Sequence, residues 1–162
     1  MGRFVEEKGF DLLINAFSKL NQSEYRLVIA GDADHQTEYS INLKRLAKDK
    51  NIILTGFIKG DKLNEIFSHA SLFILPSYHE GLPITLLEAM SYNLDVLVSD
   101  IPANRLPELN PNDFFIPGSQ EELSKKIKLK LKNINFNREY NLSSYQWKNI
   151  AKQTNSVYKK IL

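Results

Sequence analysis

Leu75-Pro76-Ser77-Tyr78-His79-Glu80-Gly81-Leu82-Pro83-Ile84-Thr85-Leu86-Leu87-Glu88-Ala89-Met90 changes character twice along its length. It closes an apolar run, 71–75, that reads as a buried strand. A polar loop follows, and Pro83 then fits the first turn of a helix running to about Tyr92. The same alternation recurs on both sides of this stretch. Residues 25–30, 51–57, 94–99 and 114–116 are further apolar runs of strand length. Between them Phe10, Leu13, Ile14, Phe17 and Leu20 share one helical face, and Leu43, Leu46 and Ala47 do so more weakly. Asp61 fits as the N-cap of a helix through His69, and Ser119-Gln120-Glu121-Glu122 has the capping-box form. Residues 126–132 alternate with period two, as a strand would, but the cap and the chain order favour a helix. The last stretch, 143–162, reads as an amphipathic helix carrying Trp147, Ile150, Ala151, Thr154, Val157, Tyr158 and Ile161. It either packs on the core or reaches a neighbouring domain. Strand and helix in alternation predict an α/β domain with a parallel sheet covered on both faces. Ligands of such sheets bind beyond the carboxyl ends of the strands, which directs attention to the loops after Ala30, Phe57, Leu75 and Ser99.

Composition narrows the function classes. A chain of 162 residues is long enough for one domain with a core, and its net charge of +2 is too small to imply a nucleic-acid partner. The absence of cysteine excludes disulfides and thiolate metal sites. No apolar run has the length of a membrane span or the form of a signal core. Asn21-Gln22-Ser23 and Asn141-Leu142-Ser143 match the glycosylation triplet and read as polar loops. Lys125, Lys126, Lys128, Lys130 and Lys132, then Lys148, Lys152, Lys159 and Lys160, read as a solvated face, or else as attraction to an anionic membrane surface. His35, His69 and His79 show no metal-ligand spacing, and Asp32-Ala33-Asp34 after Gly31 reads as a turn. There is no Gly-x-Gly-x-x-Gly, which argues against a dinucleotide oxidoreductase.

The residues around Pro83 carry a more specific message. The first amides of a helix have no intrahelical acceptor and favour an anion such as a diphosphate. Glu80 lies in the loop before this helix and Glu88 one to two turns inside it. Two carboxylates so placed can accept hydrogen bonds from hydroxyls on separate parts of one elongated ligand. They are poor neighbours for phosphate unless cations intervene, and Arg3 and Lys8, in the loop that opens the first helix, could supply them.

With these residues in place, the chain resembles the C-terminal domain of the GT-B glycosyltransferases of family 4, a group of retaining enzymes. Residues 2–13 are similar to that family's first loop and helix, Arg26-Leu27-Val28-Ile29-Ala30-Gly31-Asp32 to its next strand and turn, and Ile53-Leu54-Thr55-Gly56-Phe57 to the strand beside its base pocket. Pro76-Ser77 through Glu80-Gly81 to Glu88-Ala89-Met90 is similar to its paired-glutamate signature, and Trp147 and Tyr158 to its closing helix. Two positions depart. The family often has a small residue and a proline where Asn93 and Asp95 stand, and two glycines and a glutamate where Pro102-Ala103 and Leu106 stand, with Glu108 two positions on. The first departure concerns structure. The second concerns loop geometry and sugar selectivity.

The resemblance implies a Rossmann-like fold, the C-terminal half of a GT-B protein, and it implies roles. Arg3 and Lys8 would bind the diphosphate and stabilise the leaving group, with Glu80 on the transferred sugar as the third catalytic residue. Glu88 would bind the ribose, the amides of Ile84 and Thr85 the phosphates, and the loop at Phe57 and Ile58 the base, with Gly81 and Leu82 also among the donor-binding residues. No metal or other cofactor is expected. The expected reaction is retaining transfer from a nucleotide sugar, with UDP-sugars first, to a lipid-linked saccharide in bacterial surface polysaccharide synthesis. That work would be cytoplasmic or peripheral at the inner face of the cell membrane. Residues 1–162 would then form one donor-binding domain, a fragment without its first strand and without the acceptor domain. Rival readings are a non-catalytic nucleotide-binding module and a sugar-nucleotide epimerase of GT-B architecture.

Overall fold

The computed structural model describes residues 1–20, 24–135 and 138–161. Asn21-Gln22-Ser23 and the final Leu162 lie outside the described residues.

Six α-helices and five strands, alternating as far as β4, are found among the described residues: α1 (Phe10–Phe17), β1 (Val28–Ile29), α2 (Glu38–Asp49), β2 (Ile53–Leu54), α3 (Asp61–His69), β3 (Leu72–Leu75), α4 (Ile84–Ser91), β4 (Asp95–Ser99), β5 (Phe114–Phe115), α5 (Gln120–Lys132) and α6 (Trp147–Ile161). All strand pairs are parallel. They form two sheets, β1-β2 and β3-β4-β5, where the sequence predicts one. The strands are also shorter than the apolar runs that announce them. Pairing sets a strand's length, whereas apolar residues continue past it into buried loops such as Leu94 and Ile101.

β4 is buried along its whole length, as expected for a strand covered on both faces. On one face Phe73, Leu75, Val96 and Val98 pack with Phe67 of α3 and Leu86, Ala89 and Met90 of α4. On the other, Leu97 and Phe115 pack with Leu12, Leu13 and Ala16 of α1 and Leu123 and Ile127 of α5. A third cluster joins Phe4, Phe10, Ile14 and Phe17 to Ile29, Leu43, Ala47 and Ile52 around β1 and α2.

The helix boundaries follow from local chemistry, with two corrections. Gly60, at φ 60°, is the N-cap of α3, and Asp61 is instead its first residue, where a carboxylate still favours the helix dipole. Ser119 Oγ accepts the Glu122 amide at 3.3 Å, but the Glu122 carboxylate accepts the Ile116 amide at 2.7 Å and does not close the capping box. Residues 126–132 are helical, as the cap implied.

One sequence expectation about charge changes with the fold. Lys130 does not belong to a solvated face. Its Nζ lies 2.6 Å from Asp95 Oδ1 and 2.7 Å from Asp113 Oδ1, and Arg138 Nη2 lies 2.8 Å from Asp113 Oδ2. Burial alone would raise the Asp113 carboxyl, but Arg138, the Asn110 amide and Lys130 together hold it below its ordinary value. This cluster sits at the amino ends of β4 and β5, on the edge away from the site-bearing loops. It explains how the chain tolerates Asp95 at a core position. α6 behaves differently again: from Trp147 to Lys160 every residue but Asn149 is exposed, with Trp147 84 % and Tyr158 61 % accessible.

Candidate functional site

Two loops meet at the carboxyl end of β3. The Tyr78 amide donates to the Glu7 carbonyl at 2.7 Å. Gly9, at φ 60° and ψ 29°, presses against the same loop, and a Cβ there would stand 2.4 Å from the Pro76 carbonyl oxygen. Only glycine allows both the left-handed backbone and this approach. As a result Lys8 and Glu80, 72 positions apart, form an ion pair at 2.8 Å with side chains 19 % and 9 % exposed.

Glu80 Oε1 also accepts Ser77 Oγ at 2.7 Å. Behind it the Ser77 carbonyl accepts Ser99 Oγ, and Asn104 Nδ2 donates to Ser99 O at 3.0 Å and Oγ at 3.1 Å. Ser77, Ser99 and Asn104 are fully buried, so this chain fixes the loop that carries Glu80. Sequence reasoning missed Ser99 and Asn104 in this supporting role. A polar residue closing a buried strand was the available signal for Ser99, and nothing local marks Asn104. Glu80 Oε2 has no partner among the described residues.

Glu88 points into the same neighbourhood from α4. Its Oε2 is buried without a hydrogen-bond partner. Burial pushes this carboxyl up, against the pull of the nearby Met1 ammonium. The Met1 ammonium in turn is lowered by burial and by Lys8 to about 6, while Glu80 and Glu88 raise it. The structure therefore brings Lys8, Glu80 and Glu88 together around the start of the chain.

Arg3 is placed less tightly. It is exposed and lies 3.5 Å from Asp34, an arrangement that contributes little to stability and leaves the guanidinium free to move. Lys44 takes Asp32 at 2.7 Å, so both carboxylates of the Asp-x-Asp sequence have cationic partners within the chain. Among the described residues no group of three or more His, Cys, Asp or Glu could hold a metal ion.

At the start of α4, Pro83 is the N-cap. The Ile84 amide turns back to the Leu82 carbonyl at 2.9 Å, so it is not directed outward as the resemblance implied. The amides of Gly81, Leu82 and Thr85 have no acceptor among the described residues. Leu82, Ile84 and Phe57 are exposed, and Ile58 is half-buried beyond the carboxyl end of β2. The arrangement as a whole offers amides without acceptors, one cation paired to Glu80 and one exposed, and two carboxylates with unpartnered oxygens. It suits a polyhydroxylated anion.

Comparison with known proteins agrees. The family model described as glycosyl transferases group 1 matches residues 1–148. An uncharacterised glycosyltransferase of Methanocaldococcus jannaschii is 30 % identical over 172 residues, which cover 98 % of this chain and 43 % of that protein. The chain thus spans less than half the length of that relative. The catalytic domain of cholesterol-α-glucosyltransferase from Helicobacter pylori superposes with a TM-score of 0.71 at 25 % identity, covering 82 % of this chain and 84 % of that one. An Anabaena protein solved in complex with UDP superposes with a TM-score of 0.70 at 17 % identity over 82 % of this chain and 38 % of that one. With acceptor-free amides and two carboxylates in the segment after β3 of an α/β fold, and a family match over residues 1–148, this chain belongs to the glycosyl transferases group 1 family.

Proposed function

We propose that the chain is the donor-binding part of a retaining glycosyltransferase that takes its sugar from a nucleotide sugar, with UDP as the preferred nucleotide. The observation that carries this reading is Glu88. A buried carboxylate oxygen without a partner costs free energy unless a ligand supplies a donor. Vicinal ribose hydroxyls are such donors, and the free amides of Gly81, Leu82 and Thr85 suit the adjoining diphosphate. The Anabaena neighbour solved with UDP supports the choice of nucleotide.

In this reading Glu80, held by Lys8 and Ser77, accepts hydroxyls of the transferred sugar through its unpartnered oxygen. Lys8 and Arg3 offset the charge that develops on the departing diphosphate. The acceptor hydroxyl attacks the anomeric carbon from the side the diphosphate leaves, and a diphosphate oxygen takes the hydroxyl proton, so configuration is retained. Phe57 and Ile58 border the base. The acceptor is a lipid-linked saccharide of bacterial surface polysaccharide, bound by a domain that precedes this one. The cholesterol-directed activity named for the Helicobacter neighbour fits a lipid-borne acceptor, and the lysines and exposed Trp147 of α6 fit a location at the inner face of the membrane. No helix among the described residues is long and apolar enough to cross a membrane.

Calorimetric titration with UDP, GDP and their sugars tests the reading. Glu88→Ala should weaken every nucleotide, and Glu80→Ala should remove the preference for nucleotide sugar over bare nucleotide. If both variants bind like the parent chain, the site is misassigned. Conversion of a UDP-sugar to its epimer without any acceptor would instead identify an isomerase.

A further inference from the structure

Besides Glu88 Oε2, one buried side-chain atom among the described residues has no hydrogen-bond partner, Asn104 Oδ1. Asn104 is fully buried at the end of the short 3-10 turn Pro102–Asn104 that follows β4. Its Nδ2 donates to the Ser99 carbonyl at 3.0 Å and to Ser99 Oγ at 3.1 Å. A carbonyl only accepts, so the NH2 group must face Ser99, and Oδ1 is the atom left unsatisfied. An unsatisfied buried acceptor costs free energy that an apolar side chain of similar shape would avoid. The contribution of Asn104 therefore lies in the two bonds it donates.

Those bonds give the Ser99 hydroxyl one direction. Its oxygen accepts from Asn104, and its hydrogen goes to the Ser77 carbonyl. The Ser77 carbonyl and the Tyr78 amide belong to one planar trans peptide and point to opposite sides of it. Ser99 holds the first, and the Glu7 carbonyl holds the second at 2.7 Å. With that peptide pinned on both sides, the Ser77 side chain has a fixed origin. Ser77 Oγ then donates to Glu80 Oε1 at 2.7 Å, and Lys8 Nζ lies 2.8 Å from the same atom. Both donors take Oε1, so Oε2 is the oxygen left to a ligand.

We propose that Asn104 and Ser99 are positioning residues that set the preference for the transferred sugar by orienting Glu80. Both are 0 % exposed, so neither reaches a ligand itself. Their influence passes through the Ser77 carbonyl and hydroxyl to one oxygen of Glu80. Glu88 and the amides of Gly81, Leu82 and Thr85 make no hydrogen bond with this relay, so loosening it should leave the nucleotide's contacts in place. The inference rests on the reading of Glu80 as a contact of the transferred sugar.

Threonine and valine have nearly the same shape and differ in the hydroxyl, so Ser99→Thr and Ser99→Val separate the hydrogen bond from the packing. Each variant is titrated calorimetrically with UDP and with whichever of UDP-glucose, UDP-galactose and UDP-N-acetylglucosamine the parent chain binds most tightly. Ser99→Val and Asn104→Ala should lower the preference for nucleotide sugar over UDP by ~5-fold, the worth of one hydrogen bond, with UDP affinity unchanged. Ser99→Thr should keep the preference. In a Glu80→Ala background Asn104→Ala should change nothing further. Exchange of the Tyr78 amide, on the peptide that Ser99 holds, should be ~10-fold faster in Ser99→Val than in Ser99→Thr. Equal loss of UDP and nucleotide-sugar affinity, equal behaviour of the threonine and valine variants, or a further loss from Asn104→Ala without Glu80 overturns the proposal. If the parent chain has no preference, or Glu80→Ala leaves it intact, the reading of Glu80 falls and the proposal with it. If Glu80→Ala removes the preference while Ser99→Val and Asn104→Ala keep it, that reading stands and the proposal alone falls. Should either Asn104→Ala or Ser99→Val fail to fold, the other decides.

Discussion

Gly9→Ala tests whether the approach of the two site loops is sterically limited. Gly9 holds φ 60° and ψ 29°, which costs an L-residue ~1–2 kcal/mol. Its new Cβ would also fall 2.4 Å from the Pro76 carbonyl oxygen and 3.3 Å from the Tyr78 ring. The first neighbour is backbone and cannot rotate away, so a packing cost of ~1–3 kcal/mol adds to the strain. The total is ~2–5 kcal/mol. Gly56 provides the control. It has φ 70° but nothing within 4 Å of its would-be Cβ, so Gly56→Ala should cost only the strain, ~1–2 kcal/mol. Urea unfolding of both variants beside the parent measures the difference, which should be at least ~1 kcal/mol at unchanged slope. Gly9→Ala should also separate Lys8 from Glu80 and weaken nucleotide-sugar binding. Equal costs for the two alanines would show that the loops do not press on each other, and that Lys8 and Glu80 meet for some other reason.

The other predictions concern the rest of the fold. Asp113→Asn leaves Lys130 and Arg138 buried with Asp95 alone and should cost ~3–5 kcal/mol by urea unfolding, whereas a loss under ~1 kcal/mol would show the cluster to be hydrated. The Met1 ammonium is lowered from 8.0 to about 6, so the unfolded chain binds its proton first and stability falls as pH drops from 8 through 6. The loss should approach ~2–3 kcal/mol, and an Nα-acetylated chain measured over the same range should lack it. Deleting residues 147–162 removes a helix that is exposed at all but one position from Trp147 to Lys160 and should shift the thermal midpoint by no more than ~2–4 °C, equivalent to ~1 kcal/mol; a larger drop would show that α6 packs on the domain in solution.

The order of strands and helices was written in the sequence, because the periodicity of apolar residues records which face each element buries. The paired-glutamate segment was equally legible, since Pro83, Glu80 and Glu88 mark a helix start and its flanking carboxylates through local spacing alone. Only the tertiary structure decided which charges meet. Lys130 is indistinguishable from Lys128 in a run of lysines, yet one is held between Asp95 and Asp113 and the other faces solvent. The Lys8–Glu80 pair depends on Gly9 lying against Pro76, a contact between segments about seventy residues apart that no window of sequence contains. The support of Ser77 by Ser99 and Asn104 is of the same kind. The division of the sheet was also invisible, because a strand's apolar pattern reports that it is buried and says nothing about which edge lacks a partner.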